Sequence, residues 1–413
     1  MCVPNSLCIR ALAFGTLLVV LPPTQPATAQ AVRKSSGAPV EVRDSAGIVI
    51  VENPAPSQAA RAFVLESTPV CTIGGAHEDP SLDLLSVPSA FRSTDGSVVV
   101  VEARTRQLRF YECSGKLRNS AGRPGDGPGE FNNLASAWRW RGDSVLVSQS
   151  FVASAAVFDP QGNFSRTIAL RANILCCFDD GSVLVTRTIP ARAGSERGYT
   201  AYDRYAVAAE AQLIGQVGLF PQAEVAQVRL AMPRTEGRSV TQRTVASSPF
   251  GRLTSVRPHG RVFIEGDGTS FEFRVWTREG RMRSIVRAAR NPAPVSVKDI
   301  EAYKRTQLEG LQGTAAQARR AVLAAMSFPK WMPAYRRLEI DAAGRVWAED
   351  FPRHDAKQAS WAVFGPDGRL LGTVVFPSNA RVLTFGEREV IMRTTDIDGF
   401  NTVAVYRLLD RTP

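Results

Sequence analysis

Short apolar runs recur along the chain, each introduced by a polar, glycine-bearing turn. They read TDGSVVVVE (94–102), RGDSVLVSQ (141–149), DDGSVLVTR (179–187), PHGRVFIEG (258–266), AAGRVWAED (342–350) and FGEREVIMR (385–393). A partner pattern follows most copies about 20 residues later: LRFYECSGKL (108–117), AAVFDPQGNF (155–164), FRVWTREGRM (273–282) and WAVFGPDGRL (361–370). Val, Ile, Phe and Trp dominate these runs and fit a pleated, half-buried surface, so the runs predict β-strands. Gly and Asp between them supply the positive-φ positions that tight hairpins need. Each pair of patterns therefore predicts two strands, a tight turn and a further strand.

The turn glycines at 96, 142, 181, 260, 344 and 386 mark six copies. Three of the gaps between them are 46, 39 and 42 residues, and the other two, 79 and 84, fit one unit plus an insertion. A four-stranded unit of about 40 residues repeated around a ring is the signature of a β-propeller. A parallel β-helix needs much shorter coils, and an immunoglobulin-like array needs units of about 100 residues. The expected fold is all-β: a six-bladed β-propeller over residues 63–413, preceded by an N-terminal segment, 30–62. The sixth unit stops at VAVYRLL (403–409) with no fourth strand left. An N-terminal strand is expected to close the ring and remove its open edge. GIVIVE (47–52) and residues 63–73 compete for that role, and 63–73 is favoured.

The two long gaps place insertions at about 219–249, after unit three, and at 291–334, after unit four. The second contains SVKDIEAYKRTQLEGLQGTAAQARRAVLAAM (296–326). Ser296 and Asp299 resemble a capping box. Ile300, Tyr303 and Leu308 form one apolar stripe and Val322, Leu323 and Met326 another, with Gly310 and Gly313 between them. This predicts a small helical insertion of two short helices between blades four and five. In an antiparallel blade, the loops between its second and third strands share a face with the blade-to-blade connections. Both insertions should rise from that face, and long variable loops on a rigid scaffold are where function concentrates.

The segment GRPGDGPGEF (122–131) invites comparison with a phosphate-binding loop. Gly122 and Gly127 have the right separation, but Pro128 and Gly129 stand where Lys and Ser/Thr are required. Glu130 would repel a phosphate, and no helix start follows to attract one. The segment falls between the outer strand of one unit and the inner strand of the next, so it reads as a blade-to-blade connection. Phe131 is expected to pack between blades, and Glu130 and Asp126 to cap backbone amides.

These residues together resemble the exported six-bladed β-propeller proteins of bacteria, which are related to NHL-repeat propellers. VRDSAGIVIVEN (42–53), GRPGDGPGEF, the strand GDSVLV (142–147) and the tail DAAGRVWAEDF…WAVFGPDGRLLGTV (341–374) carry the resemblance, which extends over nearly the whole mature chain. It implies architecture. Many members of that group have no assigned activity, so it supplies no catalytic residues.

Arg10 followed by ALAFGTLLVVL (11–21) and by the small-x-small sequence Ala27-Thr28-Ala29 reads as a signal peptide over 1–29. The apolar run is shorter than the roughly 20 residues a spanning helix needs, so the mature chain is expected to have no transmembrane segment and to be periplasmic or secreted. An oxidising compartment permits disulfides among Cys71, Cys113, Cys176 and Cys177. Sequence alone allows three pairings of four cysteines; Cys71 with Cys113 is preferred, leaving Cys176 and Cys177 as free buried thiols or a vicinal bridge. None has zinc-ligand spacing. The formal charge of +11 is spread along the chain, as on a solvated basic surface. Attraction to acidic envelope polymers or lipid head groups is the functional alternative. No nucleic-acid-binding motif is present, so nucleic acid is not an expected partner.

With only His77, His259 and His354, a histidine-rich metal centre is excluded. His259, in a hairpin turn, is expected to be solvated. His354 lies in EDFPRHDAK (349–357), where it could act as a base beside Asp350 or Asp355. Glu102, Glu265, Asp267, Glu349, Asp350, Asp396 and Asp398 cluster in the loops of the insertion face and share them with Arg104, Arg106, Arg187, Arg192, Arg353 and Arg393. From these, Arg104, Arg106, Glu265, Asp267, Asp350, His354, Asp396 and Asp398 are the candidate binding residues. No cofactor is expected; the alternative is calcium held by these carboxylates, although TDIDGFN (395–401) lacks the full calcium-loop pattern. A nucleophile elbow is absent. The leading expectation is a monomeric, non-enzymatic propeller that binds a small ligand or an envelope protein on its insertion face. The rival is a carboxylate-metal-dependent hydrolase or lyase at the mouth of the central channel, and a third possibility is a purely structural exported module.

Overall fold

The second strand of each repeat carries a run of buried apolar residues because a blade is covered on both of its faces. Val98, Val99, Val100 and Val101 are each 0% exposed, so no position in that run faces water. This computed structural model describes residues 39–410 apart from 58–61, 76–78, 150–153, 171, 191–197, 209, 234–238 and 355. The expected signal peptide, His77, Arg192 and Asp355 lie outside the described residues.

Six sheets, each built on consecutive antiparallel strands, form the blades of a β-propeller. Blades one, two, three and five span 90–121, 134–169, 173–221 and 337–377 and are four-stranded. The turn glycines 96, 142, 181, 260, 344 and 386 all fall between the first and second strands of their blades. A register shift of the same kind precedes the turn between the third and fourth strands in blades one, two, four and five, so the repeat extends to local irregularities. Buried apolar clusters join one blade to the next. One packs Val99 and Phe110 of blade one against Val145 and Phe158 of blade two, and another packs Ile391 and Val403 of blade six against Val98 and Val100 of blade one.

The N-terminal segment divides between two blades. Ile48–Asn53 runs parallel to Met282–Ala288, the outer strand of blade four, and Glu41–Ser45 pairs outside it. Asn53 fastens this addition by donating to the carbonyls of Arg287 and Gly368, both at 3.0 Å, and accepting from Leu370 N at 2.8 Å. Phe63–Leu65 and Cys71–Gly74 pair antiparallel with the last strand of blade six, Asn401–Asp410. Cys71 is disulfide-bonded to Cys113, beyond the third strand of blade one, and Cys176 is bonded to Cys177.

GRPGDGPGEF is a blade connection. Phe131 is 0% exposed and lies between the first two blades, with its ring 5.9 Å from that of Phe158. Gly122 has φ +88°, and a Cβ there would lie 2.5 Å from the Phe131 ring, so both backbone and space require glycine. Glu130 turns back into the loop, accepting from Gly127 N at 2.9 Å and Arg123 Nε at 2.7 Å. The Gly127 amide of the loop is thus already taken by a carboxylate. Asp126 bonds the side chain of Asn132 instead of a backbone amide.

The first insertion, between blades three and four, is a hairpin of Val225–Pro233 and Ser239–Ser247. The second carries helices α1 (Val297–Thr306) and α2 (Gly313–Ala324). The Ser296–Asp299 capping box is formed. Met326, after α2, is buried with Ala226 and Val228 of the hairpin, and Tyr303, Val322 and Phe328 pack around them. The two insertions are therefore joined by a small core of their own.

Candidate functional site

Four connections and strand ends, two of them flanking the helical insertion, enclose a cleft of about 760 Å³. Its walls come from 290–293 and 332–337, on either side of the helices, from 349–360 in blade five, and from 378–381, which leads into the inner strand of blade six. Antiparallel topology puts all of these on the insertion face.

The cleft is lined with arginine. Arg337 opens the inner strand of blade five and donates to Glu349 at 2.7 Å, while Arg336 lies 3.6 Å from the same carboxylate. Arg290 is ion-paired with Asp350. Arg353 is held at 2.9 Å by Asp299 and donates to the carbonyl of Pro294 at 3.1 Å. Arg381 opens the inner strand of blade six, directly opposite Arg393 on the neighbouring strand. Among the described residues its guanidinium has no ion-pair or hydrogen-bond partner. Partial burial and the neighbouring charges of Arg337, Arg393 and Arg336 push its pKa below the ordinary arginine value, with Glu349 opposing them. The Nε of Arg393 is also buried without a partner among the described residues, although its Nη1 donates to Val87 O at 2.9 Å.

Asp299 holds the back of the wall. It is 3% exposed, accepts from Ser296 N at 3.0 Å and Ser296 Oγ at 2.6 Å, and meets His354 Nδ1 at 3.0 Å. Burial raises its pKa, but hydrogen bonds from Ser296 and His354 outweigh that effect and hold it well below the usual carboxylate range. One side chain thus caps α1 and fixes the loop that carries Arg353 and His354.

A second recess of about 730 Å³ adjoins the cleft and shares Asn291, Pro292, Met332 and Pro333 with it. Its lining is mainly apolar and includes Phe250 and Trp331. Trp331 is 50% exposed, with Lys330 over its ring at 5.4 Å. On the opposite face, the central channel opens into a cavity of about 910 Å³ lined by Arg257, Glu339, His259 and the bridged pair Cys176–Cys177. Arg257 grips Glu339 at 2.6 and 3.0 Å. His259 is half-buried there rather than solvated, because its turn follows an inner strand and faces the ring axis; burial lowers its pKa.

The eight candidate residues do not converge. Only Asp350 lines the cleft. His354 stands behind its wall, paired with Asp299 of α1 instead of Asp350. Glu265 is 2% exposed and 3.2 Å from Arg274; burial raises its pKa against the pull of that arginine. Asp267 accepts from Thr269 N at 2.9 Å. Asp396 accepts from the amides of Asp398 and Phe400 in its own loop at 3.0 and 2.9 Å. Arg104 and Arg106 belong to the loop of blade one, where Glu102 is a buried strut that accepts from Ser86 N at 2.8 Å and Thr105 Oγ1 at 2.7 Å. Among the described residues, no group of three His, Cys, Asp or Glu side chains could hold a metal ion. Sequence reading missed Arg336, Arg337 and Arg381. The signal available was their place at the start of the inner strands of blades five and six, on the insertion face.

No family model matches the chain, and no curated protein matches it by sequence. Solved structures align with most of the chain. A protein of Bacteroides fragilis thought to be exported aligns with TM-score 0.47 and 10% identity, over 88% of this chain and 100% of its own. A member of a domain family of unknown function from Bacteroides vulgatus aligns with TM-score 0.44 and 11% identity, over 86% and 100%. Virginiamycin B lyase from Staphylococcus aureus aligns with TM-score 0.40 and 9% identity, over 79% and 98%. At these values no residue role is carried across. No helix among the described residues is long and apolar enough to cross a membrane.

Proposed function

We propose that the protein is an exported β-propeller that binds a ligand or protein partner in the insertion-face cleft, without a catalytic role of its own. The observation that carries this reading is the cleft itself. Its volume of about 760 Å³ is that of an ordinary ligand pocket, and its walls come from rigid blades and from an insertion cemented to them. Arg381 presents to it an exposed guanidinium without a protein partner among the described residues, a forked donor open to an incoming anion or acceptor.

The rival metal-dependent hydrolase or lyase needs carboxylates that converge and are free to bind. Glu265, Asp350 and Glu349 are each already engaged by an arginine, and Asp396 by its own loop. This supports the binding reading over the calcium alternative. Native mass spectrometry of residues 30–413 purified from the protein's own host tests it. The expected result is a non-covalent added mass that is lost from the Arg336→Ala/Arg381→Ala variant while its melting temperature is retained. A mass retained by that variant would place the ligand elsewhere. Turnover of a hydrolysable ester, abolished by Asp350→Ala, would favour the hydrolase.

A further inference from the structure

We infer that the ligand of the cleft is an amphiphilic anion, its acidic group among Arg336, Arg337 and Arg381 and its apolar part on the shelf around Phe250, Trp331 and Met332. This rests on the binding reading above and goes on to the chemistry of the occupant.

The guanidinium groups of Arg336, Arg337 and Arg381 line the cleft, and Arg393 stands opposite Arg381 on the neighbouring strand. Glu349 is the carboxylate set among them, and it is already spanned by Arg337 and Arg336. Glu339, the next carboxylate along the strand, is held from the channel side by Arg257 with two hydrogen bonds at 2.6 and 3.0 Å. The cluster is therefore left with excess positive charge, and Arg381 and Arg393 repel each other across a strand pair. Arg336 and Arg381 are both exposed, so this surplus charge is open to an incoming anion. A phosphate or carboxylate matches the forked guanidinium donors in geometry as well as in charge.

An apolar shelf adjoins the arginines. It is continuous with the arginine cleft through Asn291, Pro292, Met332 and Pro333. Trp331 is half exposed here, and Leu253, on the rim of the cleft, is 46% exposed. Beneath them Phe250 packs against Tyr303, Phe328 and Phe351, with ring centroids 5.9, 6.5 and 6.0 Å away, so the shelf has a rigid floor. An exposed apolar surface joined to a cationic nest fits a molecule with one acidic end and one greasy end. A free amphiphile and a lipid in a membrane share this chemistry.

Octyl phosphate is a suitable probe, titrated by calorimetry and by Trp331 fluorescence, with inorganic phosphate and neutral octyl glucoside as comparisons. Saturable one-to-one binding of octyl phosphate is expected, at least about tenfold tighter than either comparison, because each half contributes. Arg381→Ala and Arg381→Gln should each weaken it about tenfold or more, and Trp331→Ala about fivefold, with melting temperatures held. Co-sedimentation with phosphatidylglycerol vesicles, tested in parallel, would assign the lipid source; binding of octyl phosphate without co-sedimentation would assign a free amphiphile. Octyl phosphate binding no tighter than inorganic phosphate, or indifferent to both Arg381 variants and to Trp331→Ala, would overturn the inference. If that happens while a co-purified mass still depends on Arg336 and Arg381, the cleft remains a binding site and only its amphiphilic character is lost.

Discussion

Replacing Asp299 by Asn should loosen the helical insertion without unfolding the propeller. The carboxylate collects hydrogen bonds from Ser296 N, Ser296 Oγ, His354 N and His354 Nδ1 and an ion pair from Arg353, all within 3.3 Å. An amide at that place keeps one accepting oxygen and turns an NH2 towards groups that are themselves donors. A hydrogen bond to a charged partner contributes about 1.5–3 kcal/mol, and orphaning a buried donor costs about 1–3 kcal/mol. With partial relaxation the net loss should be about 3 kcal/mol, which multiplies the open population of the insertion roughly 150-fold. Hydrogen exchange measures this directly: amides of α1 should lose about two orders of magnitude of protection while the blade strands keep theirs. The wild-type protein should show the same loosening with acid. The folded pKa of Asp299 is lowered, so its contribution is complete above the unfolded value near 4 and is lost as pH falls from there towards the folded value. Protection of α1 should then be level from pH 5 to 8 and fall below about pH 4. Unchanged exchange in Asp299→Asn, or a loss spread evenly through the blades, would refute the reasoning.

Other outcomes follow from single positions. Phe131→Ala removes a fully buried ring between two blades and should cost about 3–5 kcal/mol in urea unfolding. Gly122→Ala faces both a positive φ and the Phe131 ring, and should cost more than about 1 kcal/mol; pairing it with Phe131→Ala should recover part of that loss in a double-mutant cycle. Cys113→Ser opens a disulfide between residues 42 apart in sequence, for which loop entropy gives about 4 kcal/mol; a reducing agent should lower the wild-type melting temperature towards that of the variant and lower the variant's own much less, since only the bridge between the adjacent Cys176 and Cys177 is left to open.

Much of the fold was legible because a propeller repeats local signals. Glycines 96, 142, 181, 260, 344 and 386 needed only their spacing to be recognised, and Ser296 and Asp299 announced α1 by themselves. The destination of GIVIVE was less legible: Ile48–Asn53 pairs in parallel with blade four, a choice made by the tie of Asn53 to Gly368 and Leu370 more than 300 residues away. The cleft was hidden for the same reason. Arg336, Arg337 and Arg381 look like any others among 50 basic residues until the ring brings two inner strands and a helical connection together. Buried carboxylates misled in the opposite direction. Glu102 and Glu265 carry the residue type of a metal site, but burial among backbone amides or beside an arginine makes them struts. Cysteine chemistry divided between the two cases, since Cys71 with Cys113 could be preferred from sequence while the state of Cys176 and Cys177 had to be seen.

The strand Cys71–Gly74 has a history as well as a place. A chain that emerges from its N-terminus presents this strand first and its partner, 402–405, more than 300 residues later. Throughout that interval it is an unpaired edge, and such long-range pairing is slow to form. Cys113 arrives early, however, only 42 residues behind Cys71. An oxidising compartment can therefore stitch the waiting strand onto the first blade long before the last blade exists, and the end of the chain then meets a template already in position. The disulfide would act as a timing device. Refolding from urea with the bridge intact should be faster than refolding after reduction, and the difference should lie in the final, blade-joining phase.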